Sequence, residues 1–321
     1  MDKSVFKKNI LVTGIGGDIG QGIIKCLIDV NYASNLYGCD LDKYAAGQKL
    51  VKGFFLAPRV DVEEKYIEFL KKIIEEKNIE YIVPSTEAEI KLLGKYRNSK
   101  VFKDVNILIN NQLILDTFLD KYKTITFFHE NKIMCPKTYL IQEFTEQLPF
   151  PVILKLREGA GRKGFFIVNN KEDLTYFKRN YKKAIIQEIV GDIDHEYTIG
   201  VFSDGKKVNS IGFRRYLGYG SLSKYVEIQN DTKIQELAEK IASITNLKGS
   251  INIQARKVKG DYIPFEINPR LSSTLYFRNY FGFQDLKWWI DINENIEVEY
   301  KPRYSKGIGI KTVGEVFFEL E

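Results

Sequence analysis

Short apolar runs alternate with amphipathic segments over about the first hundred residues. The apolar runs have the length of buried strands and cover residues 9–13, 36–40, 81–83 and 106–109. Between them, apolar side chains recur with a helical period at residues 21–30, 62–76 and 87–95. Strands that alternate with helices predict a parallel sheet joined by right-handed crossovers. The N-terminal part is therefore predicted to be an α/β sheet domain.

From about Pro136 the helical period disappears and strand-like runs follow one another. The run at residues 149–156 carries one lysine, Lys155, and leads into a glycine-bearing loop at 157–164 and a further run at 165–168. We therefore expect the chain as a whole to combine an α/β part with an α+β part. The other runs there are at 184–190 and 196–200, and helical patterns return at 232–244 and 284–291.

A late hairpin gathers oxygen-bearing side chains. Two apolar-rich runs at 250–270 flank a short glycine-containing loop, residues 259–261. If that loop has three residues, Gln254 lies opposite Glu266, and Asn268 shares the face of Glu266 because it is two residues further on. Oxygen ligands next to the positively charged Arg270 suit Mg²⁺ that carries the phosphates of a nucleotide. The alternative is a solvated polar face of a surface hairpin.

This hairpin resembles a known family. Gln254, followed by Glu266-Ile-Asn268-Pro-Arg270, is similar to the metal-binding signature of the ATP-grasp superfamily, closest to its carbamoyl-phosphate-synthase-like and biotin-carboxylase-like branch. The resemblance runs from about residue 5 to about residue 292. It implies a half-Rossmann domain at 1–115, then an ATP-grasp fold at 116–321 with a mobile lid subdomain at about 137–188.

The resemblance also implies a set of phosphate contacts. Lys121, or else Lys123, matches the lysine that contacts phosphate at the start of the ATP-grasp fold. Lys155 matches the lid lysine that neutralises the α- and β-phosphates. The loop after it would close over the β- and γ-phosphates with its glycine amides, and those glycines are Gly159, Gly161 and Gly164. A basic glycine loop without a ligand is the alternative.

Two further strands resemble the family's nucleotide-binding hinge. Backbone groups at Gln187, Glu188, Ile189 and Val190 match the adenine contacts, and Glu196 matches the acid that accepts the ribose hydroxyls. The order and spacing of these residues relative to the lid lysine carry the assignment. Each run by itself is an ordinary strand.

The resemblance implies an ATP-dependent ligase that uses Mg²⁺. A small-molecule carboxylate would attack the γ-phosphate, and an amine (or a thiol) would displace phosphate from the acyl phosphate. Such chemistry needs charge neutralisation and positioning more than a protein nucleophile. Arg270 and Lys155 are the expected catalytic residues, and Gln254, Glu266 and Asn268 the expected metal ligands. This set holds a single carboxylate, since Gln254 stands where many relatives carry an acid.

Two other functions remain open at this stage. The glycine-rich turn at 14–20, followed by Asp40, also fits a dinucleotide fingerprint and would suit an NAD(P)-dependent oxidoreductase or epimerase. The pair Tyr96 and Lys100 has the spacing of a short-chain dehydrogenase, but it lies too early in the chain. A non-catalytic module that senses ATP is the third possibility.

The acceptor substrate is expected at the strand ends of the N-terminal sheet, where open α/β sheets place ligands. Arg214 and Arg215 are candidates for a bidentate clamp on a carboxylate, although a solvated turn suits them nearly as well. Ser85 has a second interpretation as a helix cap. The residues expected to border the acceptor pocket are Gly16, Gly17, Asp18, Ser85, Thr86 and Glu87.

The composition indicates which partners and which cellular location to expect. The 321 residues are 44% hydrophobic and 28% charged, and the net charge of +6 comes from lysines interleaved with acids, which is not a nucleic-acid footprint. With no apolar run of membrane-spanning length, we expect a cytoplasmic protein without a membrane partner; a homodimer is left open. Cys26, Cys39 and Cys135 are expected to be reduced thiols. His129 and His195 are too few for a histidine-rich zinc centre.

Overall fold

In a computed structural model, the structure describes residues 7–159, 164–192, 195–218, 222–300, 303–312 and 314–318. The N-terminal part contains the predicted parallel sheet. Its strand order is β3-β2-β1-β4-β5, so β2 and β3 lie on one side of β1 and β4 and β5 on the other. The strands are β1 (Lys8–Thr13), β2 (Ala33–Asp40), β3 (Gly53–Leu56), β4 (Tyr81–Val83) and β5 (Asn106–Ile107), and the helices are α1 (Asp18–Val30), α2 (Glu63–Lys77) and α3 (Glu87–Tyr96).

A small antiparallel sheet follows two helices. Its four strands have the order β6-β9-β7-β8 and pack an apolar face against α6 through residues such as Phe144, Leu154 and Leu174. The predicted boundary between residues 115 and 116 falls within α4 and stays a prediction, as do the lid limits. The elements are α4 (Gln112–Phe118), α5 (Lys121–Glu130), β6 (Thr138–Leu140), β7 (Val152–Leu156), β8 (Phe165–Val168), α6 (Lys171–Asn180) and β9 (Ala184–Gln187).

A larger antiparallel sheet completes the fold. Its six strands have the order β14-β13-β10-β11-β12-β15, and α7 covers one face with buried side chains that include Ile234 and Ile241. The elements are β10 (Glu196–Asp204), β11 (Val208–Leu217), β12 (Ser223–Gln229), α7 (Thr232–Thr245), β13 (Lys248–Val258), β14 (Asp261–Asn268), α8 (Leu275–Tyr280), α9 (Asp285–Asn293) and β15 (Ile308–Ile310).

One hydrophobic core joins the N-terminal sheet to the larger sheet. Buried residues of α1, among them Leu27, belong to the same cluster as Leu275 of α8 and Trp289 of α9. Two hydrogen bonds add to this contact, from Tyr32 Oη to Asp291 Oδ1 and from Tyr81 Oη to the Glu294 carboxylate, each 2.6 Å long. The site walls contributed by the two sheets are therefore held by a shared core. In the part of the chain that is described, no helix is both long and apolar enough to cross a membrane.

Candidate functional site

A cavity of about 540 Å³ lies where the three sheets meet. The carboxyl ends of β1 and β4 form one wall, and β7, β9, β13 and β14 contribute the others. Ile189 lies outside the lining and is 42% exposed, and Gly161 lies outside the described residues. Gly16 and the reserve candidate Lys123 also lie outside the lining, whereas the other residues predicted to bind nucleotide or metal all line this one cavity: Lys121, Lys155, Gly159, Gly164, Gln187, Glu188, Val190, Glu196, Gln254, Glu266, Asn268 and Arg270.

The hairpin of β13 and β14 has the predicted pairing for a different reason. Gln254 lies directly opposite Glu266 as expected, but the connecting loop contains only Lys259 and Gly260. A shift in register after Gln254 compensates, because Phe265 is an extra residue in β14. Such a bulge re-aims a side chain. The Phe265 ring lines the cavity, with its centroid 4.7 Å from Nζ of Lys155.

The charge of Glu266 is maintained by its surroundings. Burial would raise the pKa of its carboxyl, but Lys121, Lys155 and Arg270 together hold that pKa below its usual value. Gln254 and Asn268 add amide oxygens on the same wall of the cavity. One ionised carboxylate with neutral oxygens fits Mg²⁺, which keeps several non-protein ligands. Within the described ranges, no group of three or more His, Cys, Asp or Glu side chains offers a richer metal site.

Lys155 lies in β7 with its ammonium almost fully buried, and the residue is 9% exposed. Nζ donates to Oε1 of Gln187 at 2.8 Å, and Nε2 of Gln187 donates to the hydroxyl of Thr138 at 3.0 Å. Burial lowers the pKa of Lys155 to about 8, although the nearby Glu266 favours the charged form. The cavity thus holds a lysine whose main neighbour is neutral and which a bound anion would stabilise in its charged form.

Lys121 opens helix α5 and faces the same space. The Asp120 side chain caps the helix by accepting from the backbone amides of Tyr122 and Lys123. Nζ of Lys121 donates to the carbonyl oxygen of Gly159 at 2.8 Å. Lys123 is exposed and is not part of the cavity lining. Of the two candidate phosphate lysines, Lys121 is the one that lines the cavity.

Several groups of the hinge residues and of Glu196 already have hydrogen-bond partners within the protein. The amide of Glu188 donates to the carbonyl of Lys137, and Oε1 of Glu188 accepts from the Lys137 amide at 2.7 Å. The Val190 carbonyl accepts from Arg256 at 3.1 Å. The carboxylate of Glu196 accepts two hydrogen bonds from the buried Arg215, both at Oε1.

Arg270 connects the hairpin to the opposite wall. Its Nη2 donates to Oε1 of Glu87, the first residue of α3, at 2.9 Å, and to Oδ1 of Asn268 at 3.2 Å. Nη1 donates to the carbonyl of Leu271. Nε is buried and, among the described residues, has no hydrogen-bond partner. The guanidinium therefore joins the metal-site wall to the N-terminal sheet and keeps one N–H group unpaired.

The glycine turn after β1 is occupied by the protein itself. The amide of Gly16 donates to Oδ2 of Asp40 at 2.7 Å, and the Asp42 amide donates to Oδ1 of the same carboxylate at 3.0 Å. Asp18 opens α1 and pairs with Lys311. A pyrophosphate would need the amide that Asp40 uses and would meet the carboxylate of Asp18 at the helix N-terminus. This geometry disfavours the dinucleotide alternative.

Family models match most of the chain. A model described as the ATP-grasp domain matches residues 118–274, and one described as the PylC-like N-terminal domain matches residues 10–109. Residues 118–274 of the chain belong to the ATP-grasp superfamily. The predicted parallel N-terminal sheet is present and is followed by two antiparallel sheets, which gives a mixed α/β fold.

Relatives of this ATP-grasp protein agree with the assignment. The carbamoyl phosphate synthase large chain of Clostridium botulinum (strain Alaska E43 / Type E3) is 24% identical over 293 residues, which are 84% of this chain and 27% of the relative. The chain thus spans only about a quarter of the length of this curated relative.

Solved structures share the ATP-grasp fold. One is the biotin carboxylase domain of Hydrogenobacter thermophilus 2-oxoglutarate carboxylase, in complex with Mg-ADP, ADP and bicarbonate. It has a TM-score of 0.73 at 13% identity, and the match covers 94% of this chain and 73% of that domain. An L-amino acid ligase from Bacillus licheniformis has a TM-score of 0.70 at 13% identity, covering 92% of this chain and 77% of the ligase.

The structure corrects one sequence-based role in this ATP-grasp protein and adds others. Arg214 and Arg215 do not form a clamp, because neighbouring residues of a strand point to opposite faces. Arg215 lines the cavity beside Glu196, whereas Arg214 pairs with Glu227 at 2.9 Å on the other face. Arg256 also lines the cavity and was missed. Its position two residues after Gln254 on β13 was the available signal, since it shares that face.

Proposed function

We propose that this chain is an ATP-dependent ligase that joins a small-molecule carboxylate to an amine, or to a thiol, through an acyl phosphate. The observation that carries the proposal is the cavity lining. Lys121, Lys155, Arg270 and the ionised Glu266 face one space that also reaches the strand ends of the N-terminal sheet. A nucleotide at the basic residues and an acceptor at the strand ends would therefore meet within one enclosure.

The residues divide the work of binding Mg·ATP. Lys121 and Lys155 would neutralise the phosphates, and Gln254, Glu266 and Asn268 would hold Mg²⁺ on the hairpin. Bound Mg·ATP supplies the phosphoryl group that activates the carboxylate. Arg270 adds a fixed positive charge beside the metal site, where preorganised donors stabilise developing negative charge most effectively.

The hinge would bind the nucleoside end. Because the Glu188 amide and the Val190 carbonyl already have partners within the protein, neighbouring backbone groups of this segment would bind adenine. The predicted contacts of Gln187 and Ile189 stay proposals as well, with the Gln187 side chain held by Lys155 and Thr138. Glu196 uses Oε1 for Arg215, so its Oε2 is the atom we assign to the ribose hydroxyls.

The residues at the acceptor end of the cavity do not indicate one particular substrate. Ser85, Thr86, Glu87 and Asp18 border it, and they are compatible with several polar substrates. One fold neighbour is an L-amino acid ligase, and this favours an amine nucleophile and hence the formation of a C–N bond. The domain limits 1–115 and 116–321, the lid at about 137–188, cytoplasmic localisation and a homodimer remain predictions.

A coupled assay of ADP release tests the proposal. The full chain is incubated with Mg·ATP and a panel of carboxylates and amines, and we expect slow release with ATP alone and several-fold faster release with one carboxylate–amine pair. Glu266→Ala should abolish the Mg²⁺-dependent turnover while the protein still melts cooperatively. ATP binding without ADP release for any pair would favour the ATP-sensing alternative, and full activity of Glu266→Ala would contradict the metal site.

A further inference from the structure

Arg157 lies directly after strand β7 and grips the carboxylate of Asp120. Its Nε is 3.2 Å from Oδ1 and 3.1 Å from Oδ2, and its Nη2 is 2.5 Å from Oδ2. Asp120 is 8% exposed, so solvent screens the pair less than it screens a surface ion pair. Planar Arg–carboxylate contacts of this kind fix orientation as well as distance. Neither residue lines the cavity.

Backbone hydrogen bonds extend this contact in both directions. The Lys121 amide donates to the Arg157 carbonyl at 2.9 Å, and the Arg157 amide donates to the Lys183 carbonyl at 3.1 Å, next to the β7–β9 ladder. The Lys121 ammonium reaches the carbonyl of Gly159, two residues beyond Arg157. The start of α5 is thus attached to the end of the strand that carries Lys155.

The ion pair also holds the residue that caps the N-terminus of helix α5. Asp120 caps α5 with Oδ1, the atom that accepts the Tyr122 amide at 2.8 Å, while Oδ2 receives the two shorter contacts from Arg157. The Arg157 guanidinium helps to lower the pKa of Asp120, against the effect of its burial, so the carboxylate is charged at neutral pH. Asp120 immediately precedes Lys121. A change in how Asp120 is held would therefore move the first helical turn, and Lys121 with it.

We infer that Arg157 is a positioning residue: by holding Asp120 it places Lys121 opposite Lys155, so that both ammonium groups address the same phosphates. The inference rests on the proposed nucleotide site. Arg157 acts through Asp120 and not through contact with the nucleotide. Its removal should weaken binding of the polyphosphate and leave binding of the nucleoside unaltered.

Calorimetry on the full chain tests this inference, with Mg·ATP and adenosine as separate ligands. We expect Arg157→Met to weaken Mg·ATP binding by roughly five- to tenfold, the scale of coupling between groups in contact, with adenosine affinity unchanged. Arg157→Lys should recover part of the loss because it restores one charged contact. A purely structural role would instead lower both affinities together or only the melting temperature.

A matched control exists on the same loop. Glu158 pairs with Lys91 at 2.6 Å, but these side chains are 61% and 63% exposed. Glu158→Gln removes an ion pair between the loop and the rest of the protein and should leave both affinities at the wild-type level. Asp120→Asn keeps a good capping side chain, and combining it with Arg157→Met should cost no more than the larger single effect.

The outcomes separate the inference from the proposed function. If the wild type binds no Mg·ATP, the nucleotide site itself is wrong. If the wild type binds Mg·ATP and Arg157→Met binds it equally well, or if the two substitutions add fully, Arg157 does not position Lys121. An equal loss from Glu158→Gln would also overturn the inference, because the effect would then belong to the loop in general.

Discussion

At Lys155, burial and a neighbouring charge change the pKa in opposite directions. Its pKa of about 8 lies below the ordinary lysine value because the ammonium is buried, and Glu266 offsets only part of that effect. Above about pH 8 the ligand-free protein increasingly holds Lys155 neutral. Phosphates bind the charged form better, so protons must be taken up on binding. We expect Mg·ATP affinity to fall as the pH rises from about 7 to about 9.5.

Calorimetry across that pH range checks the expectation, with Lys155→Met as the control. Near pH 7 the substitution should weaken Mg·ATP binding by about 1.5–3 kcal/mol, the scale of a charge-assisted hydrogen bond. The decline between about pH 7 and 9.5 should be absent or much smaller in that variant. Gln187→Glu replaces the neutral partner by an anion and should move the decline to higher pH. Identical pH profiles for wild type and Lys155→Met would assign the dependence to another group.

Spacing along a strand was enough to predict that certain polar residues share one wall of the cavity. The alternation of a strand placed Glu266 and Asn268 on one wall of the cavity without knowledge of the fold. Arg256 shares the face of Gln254, but its contact with the Val190 carbonyl, like the contact of Arg215 with Glu196, joins different segments of the chain and could not be predicted from spacing. A pairwise contact between distant segments exists only after the sheet has formed.

The hairpin of β13 and β14 shows the same limit at the level of an element. The sequence predicted which residues face each other, yet the loop is one residue shorter than expected and the bulge at Phe265 restores the register. Both arrangements give the same pairing at Gln254, so the pattern of polar residues could not distinguish them. Strand β3, of four residues, and edge strand β15, of three residues, were not predicted.

The short loop of this hairpin leads to a prediction about stability. Lys259 and Gly260 have φ angles of 49° and 88°, in the left-handed region that primed turns require. A Cβ at Gly260 would meet only the flexible end of Lys233, at 4.0 Å, so Gly260→Ala tests backbone strain with almost no clash. We expect urea unfolding to show a loss of about 1–2 kcal/mol for Gly260→Ala, as for other left-handed non-glycine residues.

Lys259→Asn is the matched control in the same loop, since asparagine tolerates the left-handed region and should leave stability equal or slightly higher. Both variants should bind Mg·ATP like the wild type, because the loop is at the end of β14 remote from Glu266. A Gly260→Ala variant as stable as the wild type would show that the loop does not adopt this turn in solution.

For the molecule as a whole, the placement of one cavity between all three sheets has a thermodynamic consequence. Helix α1 shares a core with α8 and α9, so the N-terminal sheet has no separate hydrophobic interior on that side. A ligand that binds between the sheets should stabilise the whole chain in one transition. By linkage, a ligand at about 100 times its dissociation constant adds about 2.7 kcal/mol to the free energy of unfolding.

The identity of that ligand is the last prediction. In a thermal-shift comparison of Mg·ATP, the ATP analogue AMP-PNP with Mg²⁺, NAD and NADP, we expect the two Mg²⁺-bound nucleotides to raise the melting temperature. The dinucleotides should not, because Asp40 already accepts from the Gly16 amide and Asp18 places a carboxylate at the start of α1. Omitting Mg²⁺ should reduce the shift with ATP, since Glu266 would then face the phosphates without a cation between them. A shift with NAD or NADP, and none with Mg·ATP, would reverse the assignment and return the glycine turn to the dinucleotide role.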